Sequence, residues 1–226
     1  MKTIKTSPTY SSIVHNCKVV DLKNISDSAF VITFERPDFE FTAGQHVIVS
    51  LDGDIHDREY SISSSEEDKN LQILVKEVKE GYFTPLLKNV KIGTYLKVRG
   101  PQGRFCIDLI NNEDKDIVLI ATGTGIAPFR SMVFSYPNLN FQIIHGIKKS
   151  TETYFKDEFK CKYTSCTSKE STGDFNGRVT EYLKNVEFSQ NTIFYLCGNF
   201  DMIYDVQYIL KSKNHSINSI FTEVYF

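Results

Sequence analysis

The chain has 226 residues, enough for two domains, and its hydrophobic content of 41% is ordinary for a globular protein. Its 26 basic and 28 acidic residues give a formal net charge of −2. This balance argues against a nucleic-acid binder, which needs a strongly positive surface, and no apolar run approaches the roughly 20 residues of a membrane span.

The cysteines and the N-terminal segment bear on where the protein works. The five cysteines are odd in number, and their spacing fits neither a zinc site nor an iron–sulfur cluster. We therefore expect free thiols and no metal ion. The N-terminal segment lacks the apolar stretch of a signal peptide, so the sequence predicts a cytoplasmic protein.

The first half of the chain has the pattern of short strands separated by turns. Alternating or mixed apolar patterns predict strands over residues 17–22, 29–35, 46–51, 59–63, 71–78 and 95–100. One helix is predicted over residues 84–89. Several short antiparallel strands within about 100 residues predict a small barrel or sandwich.

The second half alternates strands with helices. Continuous apolar runs at residues 117–121, 141–144 and 193–197 are typical of parallel strands buried on both faces. Helices are predicted over residues 128–135, 153–159, 179–184 and 202–211. This alternation predicts a doubly wound α/β domain. The polar segment at 111–116 divides the chain into predicted domains of residues 1–112 and 113–226.

The segment Arg58-Glu59-Tyr60-Ser61-Ile62-Ser63 places a cation, an aromatic ring and a hydroxyl at the end of a predicted strand. Arg58 can offer a bidentate fork to a phosphate, and Tyr60 lies on the same face two residues along. A cation, a ring and a hydroxyl in this arrangement suit a flavin, and Ser61 can offer its hydroxyl to flavin N5. An ordinary exposed strand with the same residues is the alternative, because such short motifs are loose.

Two glycine turns are candidate phosphate sites. At Gly81-Tyr82-Phe83-Thr84 a strand meets a helix start, where backbone N–H groups and the Thr84 hydroxyl can hold an anion. Thr122-Gly123-Thr124-Gly125 lies between an apolar strand and a helix opened by a proline. It is not the Gly-x-Gly-x-x-Gly fingerprint, so a plain glycine-rich connection stays open.

In this order the segments resemble the ferredoxin–NADP(H) reductase family, over about residues 14–226. The resemblance implies an antiparallel β-barrel FAD-binding domain followed by a doubly wound α/β NAD(P)-binding domain. In the family a Gly-x-x-Ser/Thr turn holds the FAD pyrophosphate, and Gly81 and Thr84 match it. The implied FAD contacts are Arg58, Tyr60, Ser61, Ile62, Ser63, Gly81, Tyr82, Phe83, Thr84, Tyr225 and Phe226.

The resemblance also implies an NADP(H) site. Leu196-Cys197-Gly198-Asn199 resembles the family's Cys-Gly element beside the nicotinamide, and Ser168-Lys169-Glu170 with Gly177-Arg178 resembles the pattern of NADPH-using bacterial members. Lysines replace two arginines of that pattern, and solvated surface cations are the alternative. The implied NADP(H) contacts are Thr122, Gly123, Thr124, Gly125, Lys148, Ser168, Lys169, Arg178, Cys197 and Gly198.

The tail Glu223-Val224-Tyr225-Phe226 resembles the family's C-terminal segment, where an aromatic ring covers the flavin face that nicotinamide must occupy. Phe226 is expected to pack on the adenine of FAD. A last core strand over residues 220–225 with incidental aromatic residues is the alternative. The resemblance thus implies that Ser61, Cys197, Glu223 and Tyr225 line the point of hydride transfer.

The implied function is that of an FAD-dependent oxidoreductase. It would transfer electrons between NADPH and a one-electron carrier, ferredoxin or flavodoxin, by hydride transfer at flavin N5. One alternative is the NADH-dependent reductase component of an oxygenase system. Another is a non-catalytic flavoprotein subunit for electron transfer.

Overall fold

Two sheets, one from each half of the chain, organise the computed structural model, which describes residues 13–112 and 114–225. The predicted adenine contact of Phe226 lies outside these residues. The first sheet contains β1 (Val14–Ser26), β2 (Ala29–Glu35), β3 (His46–Leu51), β4 (Asp57–Ser61), β5 (Asn70–Lys76) and β6 (Tyr95–Gln102), with helix α1 (Phe83–Lys88) after β5. Within the described residues, no helix is long and apolar enough to cross a membrane.

The first sheet closes into a barrel. Its strands are antiparallel and follow the order β4-β3-β6-β1-β2-β5. Just beyond β4, Ile62 pairs with Ile73 of β5, and the Ser63 N–H donates to the Gln72 carbonyl at 2.8 Å. Helix α1 sends Phe83 into the same apolar core. This arrangement confirms the predicted antiparallel barrel.

The second sheet is parallel throughout, in the order β10-β9-β8-β7-β11-β12. Alternate residues of each buried strand point to opposite sides of the sheet, so each face has its own hydrophobic cluster. Helices pack against both clusters. This arrangement confirms the doubly wound α/β fold. The elements are α2 (Leu109–Asn112), β7 (Ile117–Thr122), α3 (Ala127–Ser135), β8 (Phe141–Ile147), β9 (Lys162–Thr167), β10 (Phe175–Asn176), α4 (Val179–Lys184), β11 (Ile193–Gly198), α5 (Phe200–Ser212) and β12 (Ile220–Val224).

One hydrophobic cluster spans the two domains and forms a core between them. Phe105, which follows the barrel strands, packs against Phe129 of α3 and Tyr195 of β11, with ring centroids 6.1 and 5.4 Å apart. Barrel residues such as Val31 and Leu74 belong to the same cluster. Because this core crosses between the halves, the barrel and the parallel sheet hold each other in one orientation. The division at residue 112 stays a prediction.

The helix predicted over residues 153–159 is wrong. This segment contains one short 3-10 turn, Lys156–Glu158, and it follows another, Ser150–Glu152. Phe155 between them has a φ of 62°, a left-handed conformation that an α-helix of L-residues does not accommodate. The next strand, β9, is absent from the predicted strands because polar residues such as Thr164 and Ser165 interrupt its apolar pattern.

Arg130 of α3 ties the parallel-sheet domain to the barrel. Its Nη1 donates to the Ser63 carbonyl at 2.7 Å and to Gln72 Oε1 at 3.1 Å. Its Nε and Nη2 donate to Glu158 Oε2 at 2.9 and 2.6 Å. The guanidinium also lies 4.8 Å from the ring centre of Phe155. The planar fork of arginine suits this set of acceptors, and the compact ammonium of lysine does not.

We therefore expect Arg130→Lys to lower the free energy of unfolding by about 1–3 kcal/mol, since it keeps the charge but loses several charge-assisted hydrogen bonds. The matched control is Arg104→Lys, at an exposed arginine of the barrel domain. Urea unfolding of both variants measures the difference. Equal stability of the two variants would show that the fork of Arg130 does not hold the domains together.

Candidate functional site

The candidate site lies where the strand order of the parallel sheet reverses. The chain leaves β7 for β8 on one side, and β11 lies on the other side of β7. In doubly wound sheets, ligands bind in the crevice at the carboxyl ends of such strands. Here the turn at residues 122–125 follows β7, and Gly198 ends β11.

Glycines let these two strand ends approach closely. A Cβ added to Gly125 would lie 2.4 Å from the Cys197 carbonyl oxygen, and one added to Gly198 would lie 2.2 Å from Thr122 Oγ1. Thr122 Oγ1 also accepts the Asn199 N–H at 3.0 Å. Larger residues would force the strand ends apart and widen the crevice.

Four predicted site residues meet at this crevice. Ser61 Oγ donates to Glu223 Oε2 at 2.9 Å and accepts the Tyr225 hydroxyl at 2.7 Å. Cys197 Sγ lies 4.0 Å from the same Glu223 oxygen. The parallel pairing of β11 with β12 sets Cys197 opposite Glu223, and the barrel supplies Ser61. The cluster therefore joins both domains.

Burial sets the charges in this cluster. Loss of solvent raises the pKa of Glu223 to about 7, and the nearby Glu59 adds to the shift, while the hydrogen bond from Ser61 opposes it. Burial also raises the pKa of Cys197 well above its ordinary value, and that of Tyr225 likewise. Cys197 is thus a neutral thiol at neutral pH, and Glu223 is the one member of the cluster that titrates there.

His46 is a neighbour of this cluster that the sequence patterns did not single out. Its Nδ1 lies 3.9 Å from Glu223 Oε1, and its Nε2 lies 3.9 Å from Glu59 Oε2. Burial lowers its pKa. Only the pairing of β3 with β4, which sets His46 opposite Ser61, brings it here.

The strand predicted to hold FAD offers two hydroxyls without protein partners. The Tyr60 hydroxyl and Ser63 Oγ are buried and unpaired among the described residues. Buried polar groups are nearly always hydrogen-bonded, so a bound polar group at this strand would complete their bonding. Arg58 is exposed, and its Nη1 donates to the Asp57 carbonyl at 2.7 Å. These residues fit the sugar-phosphate part of a flavin nucleotide.

Other predicted FAD residues of the barrel domain lie beyond the ends of its strands or in helix α1, and their contact with FAD stays a prediction. The Ile62 and Phe83 side chains are buried in the barrel core. The Gly81 N–H donates to the Val78 carbonyl at 2.8 Å, and Thr84 Oγ1 accepts the Val78 N–H at 2.8 Å. The Thr84 hydroxyl therefore closes the turn. The ring of Tyr82 is exposed and lies 4.6 Å from that of His56.

His145, in β8, supports the turn after β7. Its Nε2 lies 2.7 Å from the Gly123 carbonyl oxygen, and its Nδ1 lies 2.6 Å from the Tyr163 hydroxyl. A carbonyl can only accept, so Nε2 carries the proton and Nδ1 accepts from tyrosine. Burial lowers the pKa of His145 to about 4, which keeps it neutral. The sequence signal that could have identified this residue is a histidine directly after the apolar pair Ile143-Ile144 in a buried strand.

The predicted 2′-phosphate residues lie at one edge of the parallel sheet. Lys148, Lys169 and Arg178 are exposed and follow the carboxyl ends of the adjacent strands β8, β9 and β10. The Lys169 N–H donates to the Lys148 carbonyl at 3.0 Å, and the Ser168 N–H to the Ile147 carbonyl at 3.0 Å. The structure thus brings three cations to neighbouring loops. Their contact with a nucleotide stays a prediction.

Known proteins share both halves of this architecture. Residues 16–107 match the family described as oxidoreductase FAD-binding domain, and residues 119–208 match that described as oxidoreductase NAD-binding domain. A solved ferredoxin NADP+ reductase from Neisseria gonorrhoeae, with bound FAD and NADP, has the same fold with a TM-score of 0.85. It is 22% identical, and the alignment covers 94% of this chain and 99% of that one.

Two curated relatives match most of the chain. A flavodoxin/ferredoxin–NADP reductase of Buchnera aphidicola is 28% identical over 225 residues, covering 87% of this chain and 90% of the relative. The electron transfer component of toluate 1,2-dioxygenase from Pseudomonas putida is 24% identical, covering 88% of this chain and 64% of the relative. With its FAD-binding barrel followed by an NAD-binding α/β domain, the chain belongs to the ferredoxin–NADP(H) reductase family of flavin-dependent oxidoreductases.

Proposed function

We propose that this protein transfers electrons between NADPH and a one-electron carrier, ferredoxin or flavodoxin, in the cytoplasm. The observation that carries the proposal is the cluster of Ser61, Cys197, Glu223 and Tyr225, which the two domains build together at the strand-order reversal. The five cysteines are free thiols, as in proteins of reducing compartments. The name of the Buchnera relative supports the choice of carrier.

The barrel residues orient FAD in this proposal. Arg58 pairs with a phosphate oxygen, and the Tyr60 and Ser63 hydroxyls gain the polar partners they lack. Ser61 would offer its hydroxyl to flavin N5, and because a hydroxyl has only one proton, it would then give up its donation to Glu223. Bound FAD supplies the chemistry of accepting a hydride and releasing single electrons. The protein contributes orientation and exclusion of water.

The α/β domain orients the nicotinamide nucleotide. The turn at residues 122–125, held by the hydrogen bond from His145 to Gly123, would hold its phosphates, and Cys197 with Gly198 would border the nicotinamide. Lys169 and Arg178 hold the 2′-phosphate by charge. Tyr225 would cover the flavin face that the nicotinamide has to reach.

A second candidate function is a reductase component of an oxygenase system. The dioxygenase relative from Pseudomonas putida favours it, because 88% of this chain aligns with that electron transfer component. A further alternative, a flavoprotein subunit without catalysis, differs by its failure to accept electrons from NADPH. The three possibilities share the FAD site and differ in donor and acceptor.

The decisive experiment is reduction of the purified, FAD-loaded protein under anaerobic conditions. We expect NADPH to bleach the flavin absorbance faster than NADH, and turnover with ferredoxin or flavodoxin to exceed turnover with free flavin. Preference for NADH with transfer to an oxygenase component would support the second candidate. Retention of FAD without bleaching by either coenzyme would exclude both reductase functions.

Coenzyme preference tests two of the three exposed cations. Lys169→Ala with Arg178→Ala should weaken NADPH binding much more than NADH binding, because only NADPH carries the 2′-phosphate. The preference should also shrink with added salt, since exposed charges are screened. The matched control is Lys162→Ala at the opposite end of β9. Coenzyme titrations measure the effect, and equal losses for both coenzymes would contradict the assignment.

The Tyr225 ring should compete with nicotinamide. Tyr225→Ser removes both the ring and its bond to Ser61, so we expect nicotinamide affinity to rise by about 0.5–1.5 kcal/mol. Activity with NADH should rise, and release of oxidised coenzyme should slow. The control Tyr225→Phe keeps the ring and loses only the hydroxyl. Stopped-flow reduction and coenzyme titration distinguish the two variants. Unchanged nicotinamide affinity in Tyr225→Ser would show that the tail is only a core strand.

Glu223 should make stability depend on pH. The folded protein keeps the Glu223 proton up to about pH 7, while the unfolded chain loses it near the ordinary pKa of 4.5. The contribution of Glu223 to the free energy of unfolding is therefore largest below pH 4.5. It falls by about 1–3 kcal/mol as the pH rises through 7.

Glu223→Gln removes this pH dependence, so its free energy of unfolding should exceed that of the parent most clearly above pH 7. Thermal and urea unfolding between pH 4 and pH 9 measure the difference. Glu67→Gln, at an exposed glutamate, is the control and should follow the parent. Parallel pH curves for parent and Glu223→Gln would contradict the raised pKa.

A further inference from the structure

Helix α5 presents an uncovered aromatic stripe. Phe200, Tyr204 and Tyr208 occur at four-residue spacing and are 61%, 64% and 72% exposed. The rings of Phe200 and Tyr204 stack with centroids 6.5 Å apart. Residues of the opposite helix face, including Val206 and Leu210, are buried against the sheet. Four-residue spacing places the three rings on one side of the helix, so they form one continuous patch.

Charges beside the stripe are unequally distributed along the helix. Asp201 and Asp205 are exposed in its first half, one turn apart, where two like charges repel each other. Lys211 is exposed in the last turn. The surface is therefore acidic at its N-terminal end and basic at its C-terminal end. A surface with this pattern complements a second copy of itself turned by 180°.

We propose that α5 is the contact surface of a symmetric dimer, in which two copies of the helix pack antiparallel across a two-fold axis. One antiparallel register sets Asp201 against Lys211 of the second copy and Tyr204 against Tyr208 of the second copy. Both pairs form in the same register, because Asp201 lies as far before Tyr204 along the chain as Tyr208 lies before Lys211. Two-fold symmetry makes each pair twice, as in isologous interfaces.

The chemistry of the stripe suits a protein interface. Tyrosine and phenylalanine are enriched in interface centres because they bury a large apolar area and need few fixed torsions. Three rings and their neighbours give less area than the roughly 800 Å² per partner of a standard interface. The dimer therefore dissociates on dilution. This inference does not depend on the cofactor chemistry proposed above.

Sedimentation velocity of the full chain over a range of concentrations tests the proposal. The mass should rise from one chain to two as concentration increases. Tyr208→Lys should raise the concentration needed for half-association about tenfold or more, since the symmetric contact loses two aromatic pairs. The matched control is Tyr95→Lys, at a barrel tyrosine that is 51% exposed, and it should dimerise like the parent.

A charge exchange tests the antiparallel register. Asp201→Lys and Lys211→Asp should each weaken the dimer, and the two substitutions together should restore it, because each pair is then attractive again. All four residues tested are exposed, and circular dichroism checks that each variant folds. A single-chain mass at every concentration would overturn the dimer. A dimer insensitive to Tyr208→Lys, or no recovery in the double variant, would overturn this interface.

Discussion

The hydrogen bond from Ser61 to Glu223 joins residues 162 positions apart and depends on almost every other feature of the fold. It requires the barrel to hold β4 at the domain boundary and the parallel sheet to carry β12 to the same place. The core around Phe105 and Phe129 keeps the two domains in register, and Arg130 adds a hydrogen bond to Ser63, just beyond β4. A small rotation between the domains would separate the donor from its acceptor.

The shared core also explains the charge state of the site. Because the two domains bury the cluster between them, Glu223 and Cys197 lose solvent, and the pKa of each rises. Burial disfavours the charged form of each group, because burying an uncompensated charge costs free energy. The cations assigned to the 2′-phosphate are at the sheet edge and exposed, where charge is easily solvated. Burial therefore distinguishes the cluster proposed for hydride transfer from the exposed cations proposed for coenzyme selection.

Support for the glycine turn comes from inside the sheet. His145 is fully buried and bonds both to Gly123 and to Tyr163, so the turn is fixed from the strand next to it. Gly125 and Gly198 act differently, by allowing the ends of β7 and β11 to approach. The turn thus owes its shape to packing between strands as well as to its own residues. Substitutions in β8 can therefore change the shape of the turn without altering its own residues.

The sequence by itself determined most of the element types and the two fold classes, although it missed β9. Apolar alternation predicted the barrel strands, and continuous apolar runs predicted β7, β8 and β11, since these patterns reflect one or two buried faces. The motif order also singled out Ser61, Cys197, Glu223 and Tyr225. It failed at residues 153–159, where the left-handed Phe155 packs against Arg130.

Only the tertiary structure decided which of these residues meet and in which charge state. The approach of Ser61 to Glu223, the position of His46 and the buried bonds of His145 depend on strand pairing and domain packing. A local sequence pattern does not reveal such contacts, because it depends only on residues that are close together along the chain. The raised pKa of Glu223 likewise follows from solvent excluded by both domains, which forms only when the whole chain has folded.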